Sequence, residues 1–265
     1  MRTLFASILL YVVVACGGGG GGAEAPAGPQ VPVAERGTRL TINIPSANTS
    51  DTYVTHVYVP PASTGDRAAM PVVYALDGQT WFGPLADLAD TAQRGMIVVA
   101  LDGIRRNIDY VPDNHCTPNG GGHAAFFEFI GKELIPLVER QYGGDPKKRV
   151  LFGHSHGGAF ALYAMFSEAP GAHSFATYLA SDASVSCMPE ASSAWDQAYA
   201  NVHRTLPVRL HLSYATLGNF AANRDYAGVI AARKYEGFTF VSRAYTGTHG
   251  GIVPEVLNDG TAFAF

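Results

Sequence analysis

The sequence predicts an α/β fold, a mostly parallel central sheet of about eight strands with helices on both faces. Three observations carry this. Runs such as Pro71-Val72-Val73-Tyr74-Ala75-Leu76 and Met96-Ile97-Val98-Val99-Ala100-Leu101 are continuously apolar, the pattern of strands buried on both faces. They alternate along the chain with stretches of helical period, the order that crossover helices on a parallel sheet require. Finally, the strand Arg149-Val150-Leu151-Phe152 runs through Gly153-His154-Ser155-His156-Gly157-Gly158 straight into the Ala-rich helix beginning Ala159-Phe160-Ala161-Leu162. A strand that ends in Gly-x-Ser-x-Gly and turns at once into a helix is the sequence form of a nucleophile elbow. Glycine is needed at Gly153 and Gly157 because the turn is sharp and strand and helix pass close together.

The chain of 265 residues suits one large α/β domain over residues 38–265, behind a dispensable N-terminal region. Hydrophobic residues make up 47% and charged ones 15%, which excludes a disordered chain. A formal net charge of -4 gives no electrostatic case for nucleic acid as a partner.

Arg2 followed by the apolar residues 4–14 reads as a signal peptide over residues 1–15, because the apolar run is too short to span a bilayer. Val13-Val14-Ala15-Cys16 resembles the lipobox of bacterial lipoproteins, in which the Cys is lipidated; the alternative is an ordinary secretory signal with a chance Cys. The expectation is an exported protein, held on the periplasmic side or cell surface by a lipid on Cys16. Residues 16–37, dominated by Gly, Ala and Pro, then form a tether. Of the three Cys, lipidation of Cys16 leaves Cys116 and Cys187 as an even pair, available for a disulfide in an oxidising compartment.

Residues 38–44 and 52–59 alternate and are expected to open the domain as an antiparallel pair. Residues 71–76 and 96–101 are buried strands, joined by a crossover helix within residues 85–94, and residues 77–82 are expected to be a loop. The long irregular stretch 105–122 suits a binding wall. Residues 124–142 form an amphipathic helix that Pro136 is expected to kink. Beyond the elbow, strands are expected over 175–180, 208–214 and 239–245, and helices near 192–202 and 223–235.

Serine is a poor nucleophile at neutral pH and needs a base and a pair of oxyanion donors. His249 is the base by position, since Thr246-Gly247-Thr248-His249-Gly250-Gly251 follows the last strand, where the order Ser, acid, His ends. The amide of His156, directly after the nucleophile, is one oxyanion donor, and Gly78 or Gln79 supplies the other. His154 and His156 as a metal pair is the weaker reading, because the glycines around them are explained by an elbow and by nothing in a zinc site. No metal or cofactor is expected. The acid is harder to place, because the residues after strand 208–214 read Ala215-Thr216-Leu217-Gly218-Asn219-Phe220 without a carboxylate. Asp225 is favoured as the nearest in the expected interval, and Asp182, after the preceding strand, is the alternative. A Ser-His dyad with Asn or backbone orienting His249 also remains open. Arg105 and Arg106 sit at the sheet's carboxyl end and could meet an anionic group on a substrate.

Val73-Tyr74-Ala75-Leu76-Asp77-Gly78, Arg105-Arg106-Asn107-Ile108-Asp109-Tyr110, Phe127-Glu128-Phe129-Ile130-Gly131-Lys132-Glu133-Leu134-Ile135-Pro136, the elbow, and His249 followed by Val253-Pro254 together resemble the putative esterase family. This family of α/β-hydrolases includes enterochelin esterases, S-formylglutathione hydrolase and, more distantly, the mycolyltransferases. The resemblance spans about residues 40–265. It implies the α/β-hydrolase fold, Ser155 as nucleophile, His249 as base and the Asp77-Gly78-Gln79 segment as oxyanion partner. The family often has Glu in the stretch corresponding to Thr216-Leu217-Gly218-Asn219, so Asn219 or a neighbour stands in its place here. The expected activity is hydrolysis of a small or siderophore-like ester through an acyl-enzyme. The rivals are ligand binding without turnover and acyl transfer to an acceptor other than water.

Overall fold

The computed structural model describes residues 35–92 and 94–265. The expected signal peptide, Cys16 and all of the tether before Glu35 lie outside the described residues. In chain order the elements are β1 (Thr38–Pro45), β2 (Thr52–Val59), β3 (Val72–Leu76), α1 (Gly78–Thr91), β4 (Ile97–Leu101), α2 (Arg106–Asp109), α3 (His123–Phe129), α4 (Ile135–Tyr142) and β5 (Arg149–His154). Then come α5 (His156–Ser167), β6 (Thr177–Ser181), α6 (Pro189–Val202), β7 (Arg209–Leu217), α7 (Phe220–Arg233), β8 (Thr239–Thr248) and α8 (Val253–Ala264).

One eight-stranded sheet runs in the order β1-β2-β4-β3-β5-β6-β7-β8. The opening hairpin β1/β2 and the β2/β4 pair are antiparallel, and every pairing from β4 through β3 to β8 is parallel. Side-chain alternation divides the core between the two faces. On β3, Val72, Tyr74 and Leu76 enter one cluster with Phe126, Phe160 and Phe175, while Val73 and Ala75 enter the other with Leu85, Val253 and Leu257. Both faces of β3, β4, β5 and β6 are therefore dry, and β3 and β4 accordingly read as unbroken apolar runs.

The differences from expectation are local. Residues 77–82 are mostly helix, because Asp77 makes the whole turn by itself in the left-handed region (φ 57°, ψ 48°), and Thr80 and Trp81 amides donate to its carbonyl. Pro136 does not break its helix. It has no N–H to close a bond onto the preceding turn, and between α3 and α4 the ladder widens to a π-turn over Ile130–Leu134 that absorbs the gap. The helix after β8 is additional: Val253, Val256, Leu257 and Thr261 give it a buried stripe at helical spacing.

The parallel strands all deliver their carboxyl ends to one edge. Asp77, Gly103, Ser155, Asp182, Gly218 and His249 each follow a different strand there, where open α/β sheets build their sites.

Candidate active site

Ser155 lies between β5 and α5 with φ 61° and ψ −119°, a conformation that a side chain seldom takes. Backbone bonds fix it from several sides: its N–H donates to Ser181 O at 2.9 Å, and its carbonyl accepts from the amides of Ala159 (3.1 Å) and Ser184 (3.0 Å). The close approach expected of the glycines is real at Gly153, where a Cβ would stand 2.0 Å from Gly157 O. Gly157 itself has ordinary room, its nearest neighbour being Leu76 Cβ at 3.4 Å. The second tight position is Gly158, whose Cβ would meet Ser181 O at 2.9 Å, because helix α5 packs over the end of β6.

His249 comes directly after β8, and its Nδ1 hydrogen-bonds Asp182 Oδ2 at 2.5 Å. Asp182 is 0% exposed, and its carboxylate also accepts from the amides of Ala215 (3.0 Å) and Asn219 (3.2 Å). The turn after β7 wraps around it: a Cβ on Gly218 would lie 2.3 Å from Asp182 Oδ2, and Asn219 Nδ2 donates to the Asp182 carbonyl at 3.0 Å. With Nδ1–H donated to the carboxylate, Nε2 of His249 is the free proton acceptor. Asp225, the favoured acid, is elsewhere. It sits on α7 with its side chain 68% exposed and paired to Arg224 at 2.8 Å, because the helix turns that position to solvent. The carboxylate that meets His249 is thus at the end of β6, and the β7 turn contributes amides to it.

The two histidines flanking Ser155 have different surroundings. His154 Nδ1 meets Ser181 Oγ at 3.1 Å, and its ring packs on His249 with centroids 4.4 Å apart, with Trp81 edge-on at 5.7 Å. Burial first, and then the neighbouring His249, pull its pKa down to about 4. His156 is also buried, its Nδ1 has no partner among the described residues, and burial followed by Arg106 and His249 lowers its pKa to about 4. Both rings are neutral at pH 7, so neither competes with His249 for a proton there.

The first amides of a helix have no acceptor within the helix, and α1 and α5 both begin at this edge. Gly78, Gln79 and His156 supply those amides. Gly78 must be glycine, since a Cβ would meet the Ala100 backbone at 2.7 Å, and Gln79 Oε1 accepts from Gly103 N at 2.8 Å, tying α1 to the end of β4. The arginines are committed to carboxylates. Arg106 grips Asp77 with Nε at 2.9 Å and Nη2 at 3.3 Å, and Arg105 pairs with Asp51 and lies 3.6 Å from Asp109. Each is thus paired to protein carboxylates, with its side chain half-buried. Burial raises the Asp77 carboxyl above its ordinary value, and Arg106 opposes the shift.

Cys116 and Cys187 are bonded, with Cα atoms 5.4 Å apart. His115 N–H donates to Cys187 O at 3.0 Å beside them, so the long loop before α3 is fastened to the segment that follows Asp182. Sequence reading missed Ser184. Its Oγ is 3.1 Å from Ser155 Oγ, and only its position two residues beyond Asp182 could have drawn notice.

The model of the family described as Putative esterase matches residues 46–234. The chain belongs to that family. Among relatives of this esterase family member, ferri-bacillibactin esterase BesA of Bacillus subtilis is 31% identical over 167 residues, covering 53% of this chain and 56% of that protein. The siderophore triacetylfusarinine C esterase of Aspergillus fumigatus is 32% identical over 136 residues, 45% of this chain and 46% of the other. The chain thus spans about half the length of the curated relatives it matches. Among solved structures, the IroE-like serine hydrolase from Shewanella oneidensis superposes with a TM-score of 0.74 at 25% identity, covering 84% of this chain and 78% of that one. The BES protein from Bacillus cereus gives 0.75 at 21% identity over 91% and 99% of the two chains, a likeness of fold. The α/β-hydrolase fold expected from the sequence is the fold of this esterase family member.

Proposed function

We propose that this chain is a serine carboxylic-ester hydrolase that works through an acyl-enzyme. The observation that carries the reading is the bond from His249 Nδ1 to the buried Asp182 carboxylate, at the sheet edge where the elbow presents Ser155. Ser155 Oγ attacks the ester carbonyl carbon as its proton passes to His249 Nε2, and Asp182 stabilises the imidazolium. The carbonyl π pair moves onto oxygen, where the amides of His156 and of Gln79 or Gly78 receive the charge. Collapse breaks the bond to the alcohol, which leaves with the proton from His249. A water then gives its proton to Nε2 and attacks the acyl-enzyme, releasing the acid and restoring Ser155. In this structure Ser155 Oγ bonds Ser184 Oγ, and no hydrogen bond joins it to His249 among the described residues; a nucleophile–base contact commonly tightens only once substrate is bound.

A siderophore-like ester is the proposed substrate, supported by the relatives that are esterases of ferri-bacillibactin and triacetylfusarinine C. Binding without turnover would follow from a histidine with no carboxylate to orient it, and the bond from His249 to Asp182 supports turnover instead. The proposed setting is the cell envelope, through a lipid on Cys16; Cys16→Ser should release the chain from the membrane fraction. The activity is tested with Ser155→Ala, which should abolish turnover of a short p-nitrophenyl ester. Retained turnover in that variant contradicts the reading. A panel of siderophore lactones and acetylated sugars then ranks substrates.

A further inference from the structure

We propose that Ser184 is a further catalytic residue, a hydroxyl that donates to the nucleophilic oxygen itself; this rests on the reading of Ser155 as nucleophile. Ser184 Oγ is the hydrogen-bonding partner of Ser155 Oγ among the described residues, at 3.1 Å. Either hydroxyl can donate in the resting geometry, but the reaction distinguishes them. If Ser155 donates to Ser184, its proton is turned away from His249. If Ser184 donates, Ser155 keeps its proton for His249 Nε2 and its oxygen gains a partner that strengthens as negative charge builds on it.

The surroundings favour this role. Ser184 is 4% exposed, and its hydroxyl has no partner besides Ser155 among the described residues, so little else competes for its proton. Its position relative to Ser155 is fixed by backbone bonds in both directions: Ser184 N–H to Ser155 O at 3.0 Å, and Ser155 N–H to Ser181 O at 2.9 Å. Ser184 O accepts from Cys187 N at 3.0 Å, and Cys187 is held by its disulfide to Cys116. Segment 181–184 therefore brings two groups to the site at once, the Asp182 carboxylate on His249 and the Ser184 hydroxyl on Ser155.

The proton balance is simple. As the bond from Ser155 Oγ to the carbonyl carbon forms, the Ser155 proton moves to His249, while Ser184 keeps its own. Its donated hydrogen bond is strongest in the two transition states in which Ser155 Oγ carries charge, once as the attacking atom and once as the leaving atom. Ground-state binding of the ester does not involve it, so the effect falls on kcat and not on KM.

The test measures the rate of fluorophosphonate labelling and p-nitrophenyl ester kinetics in Ser184→Ala and Ser184→Cys. Loss of one hydrogen bond to a charging oxygen should slow labelling and lower kcat roughly 10- to 100-fold in Ser184→Ala, with KM little changed. Ser184→Cys, which keeps the volume with a weaker donor, should fall between the alanine variant and the parent. A folded Ser184→Ala that labels as fast as the parent overturns the proposal. If the alanine variant fails to fold, parental rates in Ser184→Cys overturn it equally. Labelling of the parent at Ser155 with an unaffected Ser184→Ala leaves the nucleophile standing, whereas a folded parent that never labels removes both.

Discussion

Asp182, fully buried at the end of β6, holds Nδ1 of His249 at 2.5 Å. Sequence reading searches for the acid after β7, and there the chain offers Leu217, Gly218 and Asn219. What it cannot see is that this turn folds over the end of β6 and spends the Ala215 and Asn219 amides on a carboxylate reaching across from Asp182. Asp182→Asn should therefore lower kcat by roughly 10²- to 10⁴-fold, because an amide NH2 facing His249 favours the tautomer with the proton on Nε2, which cannot accept another. Asp225→Asn, out in solvent beside Arg224, should leave kcat within about twofold of the parent, as expected for a surface change. Steady-state ester kinetics on the two variants separate them. The elbow glycines differ in the same way. Gly153→Ala, with a Cβ 2.0 Å from backbone, should sharply reduce soluble folded protein, while Gly157→Ala should be tolerated, a contrast that thermal melts read directly.

At the scale of elements, the disulfide between Cys116 and Cys187 is the strap that ties the loop before α3 to the segment bearing Asp182 and Ser184. The bonded residues are 71 apart, so opening the bridge frees a large loop in the unfolded chain. Cys116→Ser with Cys187→Ser should cost about 2–4 kcal/mol in a urea unfolding experiment and should reduce ester turnover as well. Most elements were readable because their physics is local. The central strands β3 and β4 announce themselves as unbroken apolar runs, and the Gly-x-Ser-x-Gly turn has a steric reason confined to a few residues. The structure departs from the sequence pattern where one residue replaces a loop, as Asp77 does ahead of α1, and adds α8, whose period is carried by Val253, Val256 and Leu257. The pairing of Arg105 with Asp51 and of Arg106 with Asp77 was beyond reach, since those two partners stand beside strands far away in the chain, whereas Asp109 is only one helical turn beyond Arg105 on α2.

For the molecule as a whole, buried histidines set the response to acid. His154, His156 and His211 have pKa values lowered to about 4 by burial, against 6.5 for a free imidazole. The unfolded chain therefore binds more protons than the folded one between these values. Their contribution to stability is intact above pH 6.5 and is lost as pH falls toward 4, at up to roughly 1.4 kcal/mol per pH unit for each histidine. The buried carboxyls of Asp77 and Asp109 and the half-buried one of Glu168, whose pKa values are raised chiefly by burial, offset part of this loss toward the acid end. Urea midpoints measured across that window should decline as pH is lowered, and replacing His211, remote from Ser155 on β7, by a neutral residue that preserves packing should flatten the slope. The central claim is that one strained serine on this sheet edge is an activated nucleophile. Its most direct test is to treat the folded chain with a fluorophosphonate and locate the adduct by peptide mass mapping. A single adduct on Ser155 is expected, formed far more slowly in Asp182→Asn; a folded chain that takes up no label, or takes it up at another residue, contradicts an activated Ser155.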